Sequence, residues 1–232
     1  MKNVPEIREI SIVFVGDFIP EIITPQWLAW HNLISPQEAA EAAHTQHSAQ
    51  VSKIDINWGK ITVEPRRLQI ATSESPLIRV KDLAIKILLD ALPGTPINAV
   101  GINLACHYSI GAKEREAIGR KLAPRDVLGD WGEKTLNDDP NRSISGLTSI
   151  AYRQGTGLDC NENQYFDLKI TTSRLITPNG ITLSTNDHYS FNGEGDHKVS
   201  SRPAARLVDD RFEVSLERST NTIDDVFASI KK

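Results

Sequence analysis

Ile10, Ile12 and Phe14 alternate with Ser11, Val13 and Val15 and stop at Gly16, the period of two that a strand imposes, here with both faces at least partly covered. Thr24 before Pro25, and Ser35 before Pro36 with Glu38 three places after the serine, predict two successive helix starts, the second a full capping box. The second helix carries Ala39, Ala40, Ala42 and Ala43 and is expected to fade between His44 and Ser48. Ile54, Ile56 and Trp58 alternate with Lys53, Asp55 and Asn57, and Ile61, Val63, Leu68, Ile70 and Thr72 keep the same period on either side of Pro65. Ser75 and Pro76 are expected to cap a third helix, with Leu77, Val80, Ala84, Ile87, Leu88 and Ala91 on one stripe.

From Ile97 the chain resumes as its longest strand. Val100, Ile102, Leu104, Cys106, Tyr108 and Ile110 share one face, and Ala99, Gly101, Asn103, Ala105, His107 and Ser109 the other. Residues 113 to 122 read as a helix and 124 to 146 as a long loop, a length that is unusual without a function. Strands follow at about 147 to 154, 164 to 176 and 180 to 191, the last two joined by a hairpin signal at Thr177-Pro178-Asn179-Gly180. A two-residue loop there keeps Phe166, Leu168 and Ile170 on one face with Leu183, Tyr189 and Phe191. In the tail, Ala204, Val208, Phe212, Leu216, Ile223, Phe227 and Ile230 follow helical spacing from about 203 to 230, with a break expected near Ser219 and Thr220.

That order of elements predicts an α+β protein: one large curved antiparallel sheet with helices on a single face, as in TATA-binding-protein-like or helix-grip folds. The chain reads as one domain, 1–232, with two pseudo-repeated halves at 1–96 and 97–232. Such a sheet leaves its other face open for a ligand or partner.

Composition narrows the function classes. Twenty-six basic and 30 acidic residues give a net charge of −4, which argues against a nucleic-acid-coating surface. The 39% of apolar residues and 14 glycines stand at the low edge of the globular range, and a compact chain of 232 residues buries roughly 70 to 75% of its unfolded surface without disulfides or metal. Cys106 and Cys160 form no disulfide framework and suit a reducing compartment. The first residues mix Glu6, Arg8, Glu9 and Asp17 among apolar positions, which is neither a signal peptide nor a membrane span, so a cytoplasmic protein is expected.

FVGDFIP (14–20), GTPINAVGIN (94–103), LAP (122–124) and TNDH (185–188) resemble segments of a family of uncharacterised bacterial proteins of similar length. The resemblance is one of turn residues and strand starts over most of the chain. It implies no activity, cofactor or catalytic residue.

The candidate chemistry lies on the polar sheet face. Asn103 and His107 point away from Cys106, while Asn186 and His188 share a face with Tyr165, Asp167 and Lys169, so the two strand groups converge if their strands are neighbours. Histidine titrates near neutrality, which keeps acid–base work in view, yet cross-strand polar pairing on a wet face explains the same residues. Trp131, between Asp130 and Gly132 and followed by Asn137, Asp138, Asp139, Pro140 and Asn141, is a candidate anchor for a partner. His44 and His47 lack a third metal ligand at short spacing, Cys106 reads as a buried thiol, and the basic run 113–125 reads as a solvated helix face. No phosphate loop, dinucleotide fingerprint, zincin helix or nucleophile elbow is present. The expectation is a non-enzymatic binding or assembly module without cofactor or metal. It would bind a protein partner or a second copy through Asn103, His107, Trp131, Asp167, Lys169, Asn186 and His188. The alternative is a small-molecule or nucleotide-responsive sensor or enzyme with its site on the open face.

Overall fold

A computed structural model of the chain describes residues 4–135, 146–155, 164–191 and 200–231. Cys160 and the run from Asn137 to Asn141 lie outside the described residues. The first strand, β1 (Ile7–Gly16), leads into α1 (Pro25–Trp30), whose Thr24 hydroxyl accepts from the Trp27 backbone N–H. In α2 (Pro36–Glu41) the box is complete: Ser35 Oγ accepts from the Glu38 N–H at 3.1 Å and Glu38 Oε2 from the Ser35 N–H at 2.9 Å.

The chain does not trail off as helix after α2. Residues Ala43–His47 form β2, an edge strand, because His44 meets the Ser52 hydroxyl at 2.9 Å and His47 the Glu21 carbonyl at 3.0 Å, bonds only an extended chain reaches. Strands β3 (Ser52–Ile56), β4 (Gly59–Glu64) and β5 (Arg67–Thr72) follow as a meander, with Pro65 in the turn. Ser75 caps nothing. Helix α3 (Ile78–Lys86) starts after Leu77, where the Arg79 and Val80 N–H groups are taken by the Pro76 and Leu77 carbonyls. The helix then widens by one residue per turn over Ile87–Ala91.

The central strand β6 (Ile97–Ser109) is followed by α4 (Ala112–Leu122). The stretch expected to be loop contains a further helix, α5 (Gly129–Thr135). The loop-like Gly132 is there for contact, since a Cβ at this position would stand 2.3 Å from the Arg125 carbonyl. Strands β7 (Ser149–Gly155), β8 (Gln164–Thr172) and β9 (Gly180–Ser190) complete the sheet. The β8–β9 connection runs over residues 173–179 rather than two. Ser173 Oγ accepts from the Leu175 and Ile176 N–H groups, which stabilises the longer turn. The shift in register is even, so Ile170 still lies opposite Leu183 on the buried face. Helix α6 (Ser201–Ile230) runs unbroken through Ser219 and Thr220.

Among the described residues nine strands form one antiparallel sheet, in the order β2-β3-β4-β5-β1-β6-β9-β8-β7. Outward from the β1–β6 pair, each half runs back through its own later strands. α3 packs on β1 and β5, and α6 on β6, β9 and α3, so this large curved α+β sheet is helix-covered on one side. One apolar cluster joins Ile12, Phe14 and Ile70 to Ile87, Val208 and Phe212. A second joins Leu104, Cys106, Tyr108 and Leu183 to Ile223 and Phe227, with the Tyr108 and Phe227 rings stacked 3.8 Å apart. The Cys106 thiol is pushed up to about 11 by burial, which keeps it protonated and inert. No described helix is long and apolar enough to cross a membrane.

Because α6 supplies one wall of both clusters, truncation after residue 202 is expected to give insoluble or molten protein. Phe212→Ala alone is expected to cost about 3 to 5 kcal/mol in denaturant unfolding. A truncated chain with sharp amide spectra and an unchanged melting temperature would show that α6 is dispensable.

Candidate functional site

The pairing of β6 with β9 and of β9 with β8 brings six of the seven candidate residues onto one face of the sheet. Asn103 lies opposite Asn186, Asn186 opposite Asp167, and Asp167 opposite Arg153 of β7, forming a polar row across four strands. Lys169 stands beside it, opposite Ser184, with its side chain in solvent. Alternation along each strand puts these groups on the face away from α6.

The two histidines do not converge. His107 pairs with Thr182 and His188 with Gly101, six residues further along, a separation of roughly 20 Å at about 3.4 Å per residue. His107 is only 9% exposed, with Nδ1 at 2.8 Å from Ser173 Oγ and 2.9 Å from Thr182 Oγ1. Desolvation holds its pKa below the usual imidazole value, against an opposing pull from Glu9. It ties the 173–179 turn to β6, a structural task.

His188 is placed differently. Its ring stacks on Tyr165, its partner on β8, with centroids 4.3 Å apart and planes 15° from parallel. The Arg153 guanidinium lies over the Tyr165 ring at 3.7 Å, and Asp167 clamps it by paired bonds of 2.7 and 2.8 Å. Nε2 of His188 is 2.9 Å from Ser190 Oγ, which fixes the ring. Burial, then the nearby Arg153 charge, lowers the His188 pKa, so the imidazole is neutral at neutral pH. The result is a cation–ring–ring stack running across β7, β8 and β9 and ending at Gly101 of β6. Asn103 Nδ2 donates weakly to the Ser11 and Gly101 carbonyls at 3.3 Å, whereas the Asn186 carboxamide makes no hydrogen bond among the described residues.

Trp131 is not on this face. It projects from α5, 58% exposed, into a cleft of about 210 Å³ shared with Arg115, Arg120, Arg125 and Leu128. Glu116 pairs with both Arg120, at 3.0 Å, and Arg125. The His44 and His47 rings meet tilted at the β2 edge, 4.5 Å apart, each already bonded to protein. Among the described residues no group of three His, Cys, Asp or Glu side chains is arranged to hold a metal ion.

Arg153 and Gly101 are the members of the site that residue patterns do not single out. Gly101 shows only as a gap in an alternating strand, and Arg153 joins the stack only once β7 is known to border β8. The chain matches no protein-family model, and no curated protein is significantly similar to it.

The His107 burial has a consequence for stability. In the unfolded chain this imidazole takes a proton near its ordinary value of 6.5, whereas in the folded chain it resists protonation to lower pH. The unfolded state therefore binds more protons in that window, and stability, complete above about pH 6.5, is expected to fall as pH drops towards the folded value. Melting temperatures at pH 8 and 5.5 check this. The acid-side loss should be smaller in His107→Ala than in the wild type, and equal losses would remove His107 as a cause.

Proposed function

We propose that the chain is a non-enzymatic binding or assembly module of a bacterial cytoplasmic system, holding a protein partner or a second copy of itself. The observation that carries the reading is the Arg153–Tyr165–His188 stack with its Asp167 clamp, a set of amphipathic side chains held against one another on the sheet face opposite α6. Arg and Tyr are the residue types that dominate interface energies, and side chains already held in place lose little freedom on binding. The exposed Val127, Leu128 and Trp131 add an apolar patch beside α4, well placed as a second contact. His107, bonded to two hydroxyls, is not poised for proton transfer to a substrate.

A second reading, a small-molecule or nucleotide-responsive sensor on the same face, is favoured by one observation: the stack ends beside Gly101 and the Asn186 carboxamide, which makes no hydrogen bond among the described residues.

Trp131→Ala is expected to leave the melting temperature within a degree or two. It should weaken self-association or partner binding by at least about thirtyfold, from an anchor worth at least about 2 kcal/mol. Sedimentation and thermal melting on this variant and on Tyr165→Ala provide the test. Loss of stability with association intact would remove Trp131 from the interface, and unchanged association in both variants would overturn the reading.

A further inference from the structure

Taking up the second reading, we infer that the open face holds the adenine base of a free nucleoside or nucleotide, stacked on His188 above Gly101 with its edge read by the Asn186 carboxamide.

The strand register creates the seat. On one side of His188 stands Tyr165, which covers one face of the imidazole; directly across on the other side is Gly101, which adds no side chain of its own, only the carboxamide of Asn186 standing over it. A planar ring entering there continues the spacing already set by Arg153, Tyr165 and His188. It adds a fourth layer to a stack whose members are held by contacts with one another, so binding orders little that is not already ordered.

The floor of the seat selects the ring. Asn186 Oδ1 comes within 2.8 Å of where a Cβ on Gly101 would stand, and Asn103 Nδ2 within 3.6 Å, so the Asn186 carboxamide lies directly over the glycine and is the surface a ring would rest on. Asn186 offers one donor and one acceptor, both unused among the described residues. A base standing edge-on to the sheet, parallel to His188, presents its edge to that group. On the N7 edge a carboxamide matches the paired donor and acceptor of adenine, N6 and N7, whereas guanine presents two acceptors there, O6 and N7, and calls for two donors. The residues flanking Gly101 across and along the strands, Val13, Ala99 and Ser190, are small and uncharged, and the net charge of −4 opposes a long polyanion; a free nucleoside or nucleotide fits these terms better than a nucleic-acid strand.

The test is titration of the full isotope-labelled chain with adenosine, following the amides of Gly101 and His188 and the His188 ring signals. Saturable shifts confined to this face are expected. His188→Ala should weaken binding by about five- to 150-fold, the range for one base–ring stack. Gly101→Val should abolish binding without lowering the melting temperature, because the atom it displaces is the mobile end of Asn186. Asn186→Ala should bind adenosine and purine riboside, which lacks the 6-amino group, equally. If His188→Ala does not fold, the other two variants decide. The inference is overturned by an absence of saturable shifts with adenosine, by binding that survives in Gly101→Val, or by oligo(dA) binding more than tenfold tighter than adenosine. Shifts at the same residues with indole but not adenosine overturn the purine while keeping a small-molecule site. No response to adenosine, indole or nicotinamide overturns both.

Discussion

The antiparallel pairing of β1 with β6 is the interaction on which the rest of this structure depends. The two strands are close to a hundred residues apart in the chain, yet Ile10, Ile12 and Phe14 meet Leu104, Ile102 and Val100 across the middle of the sheet. Each half adds its remaining strands outward from that seam. Because the period of a strand is two, a slip of one residue here would turn Ile10, Ile12 and Phe14 into solvent and bring Ser11, Val13 and Glu9 under the helices. The burial of one face thus determines which residues stand on the other. The stack at Tyr165 and His188 inherits its geometry from a register selected by the core.

Helix α6 fixes the second constraint, through a charge. Asp187 points into the helix side of the sheet and is 3% exposed; it accepts bonds from Ser215 of α6 at 2.8 Å and from Tyr189 at 3.0 Å, and Arg218 stands 3.6 Å away. A carboxylate taken out of water is costly unless its oxygens are bonded. Sliding α6 by one turn would remove Ser215 and Arg218 together, so the network specifies where the helix sits along β9. Arg8 adds a bond to Thr220, from β1, in the same part of the helix. Apolar packing alone, with Val208, Phe212, Ile223 and Phe227 spaced along one stripe, discriminates less sharply between such positions.

The strand faces were legible because alternation survives in β1, β6, β8 and β9, and the open-face placement of Asn103, His107, Asp167, Lys169, Asn186 and His188 follows from that alternation alone. The start of α2 was legible too, since a capping box is a local interaction between Ser35 and Glu38. What could not be read was set by contacts distant in sequence. Ala43–His47 has no apolar alternation and is a strand because Ser52 and Glu21 bind its histidines. Asp187 sits between Asn186 and His188 in a run that reads as polar, and only Ser215, 28 positions later, explains its burial. The separation of His107 from His188, and the entry of Arg153 into the site, both follow from strand order and register, which composition and spacing do not encode.

The position of α6 after strands β1 to β9 gives the molecule a history as well as a shape. A ribosome delivers about 5 to 20 residues each second, so the apolar face of a nascent sheet waits seconds for the segment that shields it. During that interval Phe14, Ile102 and Leu183 lack the cover of α6, and the seam between β1 and β6 must itself close over a long, slow loop. The newborn chain is therefore at its most adhesive before α6 is made, a demand on the cell's folding assistants that the folded protein, with those side chains fully covered, does not reveal.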